Sequence, residues 1–90
     1  MKQDLTAIRG DEEYLDTSGL TCPLPVLRAR KRLMAMAPGS VLRVIATDPV
    51  SVLDMPHFCR EAGHDFLGHS EKNGIYEFHL RRGDPAQGTK

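Results

Sequence analysis

Cys22 is the residue whose chemistry its neighbours are arranged to shape. It stands in Leu20-Thr21-Cys22-Pro23-Leu24-Pro25-Val26, between a short strand-like run and a periodic helix. Proline is tolerated in the first helical turn, where its missing N–H would have no partner. Pro25, with Pro23 ahead of it, therefore marks a helix start and puts Cys22 at or just before the N-terminus. Free N–H groups and the helix dipole favour an anion there, and a thiol so placed ionises more readily. That suits nucleophilic or group-transfer chemistry on sulfur. Neither proline can donate, so only Leu24, Val26 and Leu27 offer nearby N–H groups. The expected pKa depression is moderate at most. The competing reading is a buried structural cysteine, because free cysteine is among the most buried residue types.

The other reactive residue types give weaker patterns. Cys59 falls on the apolar stripe of a second helix, which points to core packing. A resolving partner for Cys22 is the alternative, but the two are 37 positions apart and form no C-x-x-C pair. His57, His64, His69 and His79 show no metal-ligand spacing and read as surface or strand-face residues. No metal site is expected, and no carboxylate pair or glycine-rich phosphate loop stands out. Arg28, Arg30, Lys31 and Arg32 form a basic cluster one turn beyond Cys22. Such a run is usually a solvated face; the alternative is a surface that attracts an acidic partner or an anionic sulfur species.

Ninety residues make one small domain with a modest core. Twelve basic and twelve acidic residues balance to zero, which argues against nucleic-acid binding through bulk charge. No run of eighteen apolar residues exists to span a membrane. The first fifteen residues lack an apolar signal core. A cytoplasmic protein with reduced thiols is the expectation.

The elements that hold Cys22 follow from periodicity. Residues 1–11 read as a flexible terminus, 12–82 as a single domain and 83–90 as a flexible tail. Residues 12–16 form a weak first strand, and Thr17-Ser18-Gly19 a turn. A helix over 24–37 buries Val26, Ala29, Leu33 and Met36, and Pro38-Gly39 stops it. Residues 41–47 form a strand with apolar residues on both faces, hence a central one. A second helix over 51–62 carries Val52, Met55, Cys59 and Ala62 as its stripe, with Phe58 beside it. Ser51 and Asp54 resemble a capping pair. Pro56 should bend the first turn or move the start forward. Strands over 66–71 and 75–82 flank Asn73-Gly74, a strong hairpin signal. Right-handed crossovers put both helices on one side of the sheet. The expectation is a two-layer α/β sandwich, β-α-β-α-β-β, with a polar sheet face left open.

Leu15-Asp16-x-x-Gly19-Leu20-x-Cys22-Pro23-x-Pro25-Val26 resembles the opening signature of the TusA/SirA family of sulfur carriers. The resemblance continues through Arg30-Lys31, Met36-x-Pro38-Gly39, Asp48-Pro49 and Pro56-x-Phe58-Cys59. It implies a mixed four-stranded sheet in the order 1-2-4-3. It implies that Cys22 accepts a sulfane sulfur as a persulfide and passes it on, as a sulfurtransferase-type carrier with no cofactor. Pro23 and Pro25 would shape the helix N-terminus, and Arg28, Arg30, Lys31 and Asp48 are candidate docking positions. The implied donors are a cysteine desulfurase or a rhodanese-like protein. The implied acceptors are further relay or DsrE-like proteins, serving tRNA thiolation, cofactor assembly or sulfur oxidation. A carrier that exchanges partners is expected to be monomeric when free, with no direct nucleic-acid or membrane contact. Many members carry two acidic residues before the proline of the Asp-Pro element; here the first is Thr47.

Two other functions are weighed against the carrier. A non-enzymatic regulatory or interaction module would dock a protein on the open sheet face through Arg43, Glu77 and His79. An RNA-binding module is disfavoured by the neutral charge and by the absence of aromatics among those polar strand positions.

Overall fold

Four segments of alternating residues fold into one sheet: β1 (Glu12–Thr17), β2 (Val41–Ala46), β3 (Asp65–Lys72) and β4 (Ile75–Arg81). Two apolar stripes form the helices α1 (Leu24–Met34) and α2 (Ser51–Ala62). The computed structural model describes residues 12–83. The expected terminus 1–11 and the tail residues 84–90 lie outside the described residues.

The sheet order is β1-β2-β4-β3. β1 runs parallel to β2, while β4 is antiparallel to both of its neighbours. The chain is therefore a two-layer α/β sandwich with a mixed sheet, and β2 is an interior strand, as its two apolar faces predict. Asn73 and Gly74 both have positive φ, 52° and 81°. That is the backbone of a type I′ turn, which matches the twist of β3 and β4.

The core lies between the helices and one sheet face. Ala29, Leu33 and Met36 meet Leu42, Val44 and Ala46, the α2 residues Met55, Phe58 and Cys59, and Phe78 and Leu80 of β4. Tyr76 packs on the same side, so the β4 alternation holds as read.

Several local expectations need correction. α1 ends at Met34 rather than at 37, because Ala35 and Met36 donate three residues back, to Arg32 and Leu33, in a tightened last turn. Pro25, expected only to start the helix, is also fully buried. Ala62 is exposed, so the α2 stripe closes at Cys59. Pro56 sits inside α2 without moving its start. The N-cap of α2 is Val50, with no side-chain cap, and Ser51 is buried with its hydroxyl unpartnered. The Ser51–Asp54 capping pair does not form.

The end of β4 straps the helices to the sheet. The Arg82 guanidinium donates to the carbonyls of Leu33 and Met36, at the C-terminal end of α1. A cation there also complements the helix dipole. The next residue, Gly83, read from sequence as the first of the tail, donates its N–H to His64 Nδ1 at 2.9 Å. A Cβ at Gly83 would overlap the Gly63 carbonyl, so only glycine fits.

Gly83→Ala is expected to cost about 1–3 kcal/mol, the usual range for forced overpacking, read as a lower urea midpoint. His64 supplies a pH dependence. Burial, then the Arg82 charge, holds its pKa below the ordinary value, and Asp65 acts weakly the other way. The unfolded chain thus takes up this proton at higher pH than the folded one. The contribution to stability is full above about pH 6.5 and is lost as pH falls through the folded value. The thermal midpoint should drop in that window, and His64→Gln should flatten the drop.

Candidate functional site

Cys22 is positioned by two loops that leave the ends of the parallel strands β1 and β2. In open α/β sheets, the carboxyl ends of parallel strands are where ligands and reacting groups are presented. Three bonds stitch the strand ends and these loops together. The buried Thr17 hydroxyl donates to the Ile45 carbonyl at 2.6 Å. Gly19 N–H donates to Thr47 Oγ1 at 2.9 Å. Cys22 N–H donates to Asp48 Oδ2 at 2.5 Å. The turn between is held by Asp16, whose Oδ1 accepts from both the N–H and the hydroxyl of Ser18. These two bonds hold the Asp16 carboxyl below the usual range.

The departure at Thr47 thus has a structural role, since a hydroxyl there ties down Gly19. Asp48, a candidate docking position from sequence, is also internal to the site. Its Oδ1 accepts from Val50 N–H at 3.2 Å while its Oδ2 holds Cys22. One carboxylate therefore fixes the start of α2 and the backbone of the cysteine together.

The helix N-terminus does less than expected. Pro23 is the N-cap of α1 and Pro25 lies in its first turn. The Cys22–Pro23 peptide is cis. Of the three expected donors, Leu24 N–H is taken by the Thr21 carbonyl at 2.8 Å and Leu27 N–H by the Pro23 carbonyl at 3.1 Å. The Cys22 thiol turns instead to α2 and donates to Asp54 Oδ2 at 2.9 Å. This reverses the expected electrostatics. The bond to Asp54 raises the Cys22 pKa, and desolvation and the charges of Asp54 and Asp48 raise it further. The physical reason is simple: roughly half a unit of positive charge at a helix end faces two full carboxylates.

Cys22 is exposed and Cys59 is buried; both are free thiols. Burial, with a smaller contribution from Asp65, pushes the Cys59 thiol up to about 12. Exposed apolar side chains form a rim on the two helix ends that the Cys22–Asp54 bond joins: Leu24 and Leu27 in the first turn of α1, Val50 at the N-cap of α2, and Leu53 in its first turn, which is 74% exposed. Sequence reasoning missed this rim, although its members stand off the two buried stripes. It also missed Asp54 as a partner of the thiol.

The basic cluster lies elsewhere. Arg28, Lys31 and Arg32 line a shallow groove with Leu15 and Ala35, and Arg32 is paired with Glu13 at 3.2 Å. Among the described residues, none of Arg28, Arg30 and Lys31 forms an ion pair with Asp48 or Asp54. On the open sheet face, Arg43 and His79 both contact Glu77 Oε2, at 2.8 and 2.9 Å, and Arg43 lies over the Tyr14 ring. The bonds from Arg43 and His79 hold the Glu77 carboxyl below its ordinary value. The charges expected to dock a partner there are paired with each other. Among the described residues, no cluster of His, Cys, Asp and Glu could hold a metal ion, and no helix is long and apolar enough to cross a membrane.

Alkylation should separate the two thiols. In folded protein iodoacetamide should label Cys22 alone, more slowly at pH 8 than it labels a small free thiol. Cys59 should react only after unfolding. Labelling of Cys59 in native protein, seen by peptide mass, would contradict its burial.

Comparison with known proteins converges on one family. Residues 13–82 match the family described as Sulfurtransferase TusA. The sulfur carrier protein TusA of Allochromatium vinosum is 46% identical over 71 residues, which cover 79% of this chain and 93% of the relative. The sulfur carrier protein TusA of Pseudomonas entomophila is 46% identical over 68 residues, covering 76% and 85%. The crystal structure of a SirA-like protein from Desulfitobacterium hafniense superposes with a TM-score of 0.71 at 28% identity, covering 80% of this chain and 99% of that one.

Proposed function

The chain belongs to the TusA sulfurtransferase family, and we propose that Cys22 is the atom-bearing residue of its sulfur-carrier function. In this reading Cys22 accepts a sulfane sulfur as a persulfide and yields it to a thiol on an acceptor protein. The observation that carries it is the placement of Cys22. The thiol is exposed at the carboxyl ends of two parallel strands, and the backbone N–H of Cys22 is tied to the Asp48 carboxylate of the loop after β2.

The chemistry suits such a placement. Transfer needs one thiolate to attack the terminal sulfur of another persulfide, so two proteins must bring their sulfurs into contact. A carrier then needs an exposed sulfur and a surface to dock on. The rim of Leu24, Leu27, Val50 and Leu53 supplies apolar surface beside the thiol, of the sort that marks an interaction site. We assign the donor to the cysteine desulfurase or rhodanese-like class and the acceptor to a relay or DsrE-like protein. Both classes work on thiols kept reduced, which fits a cytoplasmic carrier that is monomeric between encounters. Pro23 and Pro25 stiffen the junction behind the sulfur. Arg28, Arg30 and Lys31 form a separate basic surface on α1 that an acidic stretch of a partner would meet.

Intact-mass analysis tests the assignment. Incubation with a cysteine desulfurase, pyridoxal phosphate and cysteine should add about 32 Da, the mass of one sulfur on a reactive thiol, and a reductant should remove it. Cys59→Ser should load like the wild type and Cys22→Ser should not load. Sulfur retained by Cys22→Ser would move the site to Cys59. Failure to load from a desulfurase, from thiosulfate with a rhodanese and from polysulfide would end the carrier reading.

A further inference from the structure

We propose that Asp54 is a positioning residue for sulfur transfer, holding Cys22 as a protonated thiol between encounters and disfavouring sulfur retained on it as an anion; this rests on the carrier reading of Cys22.

The geometry assigns the role. Asp54 lies in the first turn of α2, where a carboxylate ordinarily serves the helix N-terminus. Here its Oδ2 accepts the Cys22 S–H at 2.9 Å, while α2 has no side-chain cap and Ser51 Oγ stays unpartnered. The carboxylate has been given to the thiol instead of to the helix. Its backbone is fixed, since Asp54 N–H donates to the Val50 carbonyl at 3.0 Å. The second acidic group, Asp48, bonds the Cys22 backbone N–H and adds negative charge beside the sulfur. These two carboxylates are the charged groups that act on the thiol, and both favour its protonated form.

The S–H···O contact exists only while sulfur carries a proton. A persulfide is more acidic than a thiol and is anionic near neutral pH, so loading turns an attractive contact into a repulsive one. In the unloading step, an acceptor thiolate attacks the terminal sulfur. The bond between that sulfur and Cys22 Sγ breaks, and its electron pair stays on Sγ. Cys22 leaves as a thiolate, takes a proton from water and restores the bond to Asp54. The acceptor carries away the sulfane sulfur as its own persulfide anion, with no net oxidation or reduction. The bond regained at the end favours the unloaded carrier. A leaving thiolate of higher pKa departs more slowly, so the effect falls on the partition of sulfur and not on speed. Loading is favoured when a donor brings positive charge against Asp48 and Asp54.

Asp54→Asn and Asp54→Glu test this. The first keeps the shape and removes the charge; the second keeps the charge and displaces it. Thermal unfolding confirms that both are folded. Alkylation of Cys22 in Asp54→Asn should be severalfold faster at pH 7, with the midpoint of its pH–rate profile moved down, while Asp54→Glu should stay nearer the wild type. After equilibration with glutathione and glutathione persulfide, Asp54→Asn should hold a larger share of sulfur on Cys22 than the wild type. An unmoved alkylation profile overturns the proposal. A lowered midpoint with an unchanged sulfur share overturns its transfer half. If the wild type takes no sulfur from any donor, the carrier reading falls, while the alkylation profile still decides whether Asp54 holds the proton.

Discussion

The site depends on the pairing of β1 with β2. The two strands run parallel in register from Glu12–Val41 to Thr17–Ala46, so their outgoing loops emerge side by side. Three bonds cross between the strand ends and the loops that leave them: Thr17 to Ile45, Gly19 to Thr47, Cys22 to Asp48. A thiol on a single exposed loop would sample many directions. Here the sheet ladder, which is strong and regular, is converted into a fixed position for one sulfur. The buried Thr17 is the joint, since its hydroxyl continues the pairing at the point where the ladder ends.

Position and reactivity are set by different elements. Position comes from β1, β2 and Asp48. Reactivity comes from α2, through Asp54, and α1 contributes less than a cysteine before a helix suggests. The prolines explain this. They remove N–H groups from the turn where an anion would seek them, and the remaining backbone closes on itself through Leu24 to Thr21 and Leu27 to Pro23. With the helix end weakened, the two carboxylates decide the sign.

Patterns confined to one element were legible in the sequence. The β4 alternation, the Asn73-Gly74 turn and the start of α1 are local, and the structure keeps them. What was misread involves a choice between local and distant partners. Ser51 and Asp54 spell a capping pair, and nothing nearby in the chain says that Asp54 bonds a thiol 32 positions away. His64 looks like a solvated histidine until Gly83, 19 positions on, is folded against it. Pro56 argues for a displaced helix start, yet the burial of Met55, Phe58 and Cys59 holds the helix through it. Apolar burial of several side chains outweighs one lost hydrogen bond.

The same distinction bears on how a small carrier can be selective. A strongly ionised, exposed cysteine would react with any electrophile it met. A thiol held protonated beside two carboxylates is poorly reactive alone, and reactivity then depends on what a docked surface does to those charges. Several of the remaining charges are paired with one another: Arg43 with Glu77, Arg32 with Glu13, Arg81 with Asp65. Asp48 and Asp54 are tied to N–H and S–H donors, with no cation paired to either among the described residues. They lie beside exposed Leu53 and Val50, where docking would exclude water and strengthen any charge brought against them. In the proposed role of Asp54, recognition and activation of Cys22 fall on one patch, so a partner that did not dock there would not ionise the sulfur.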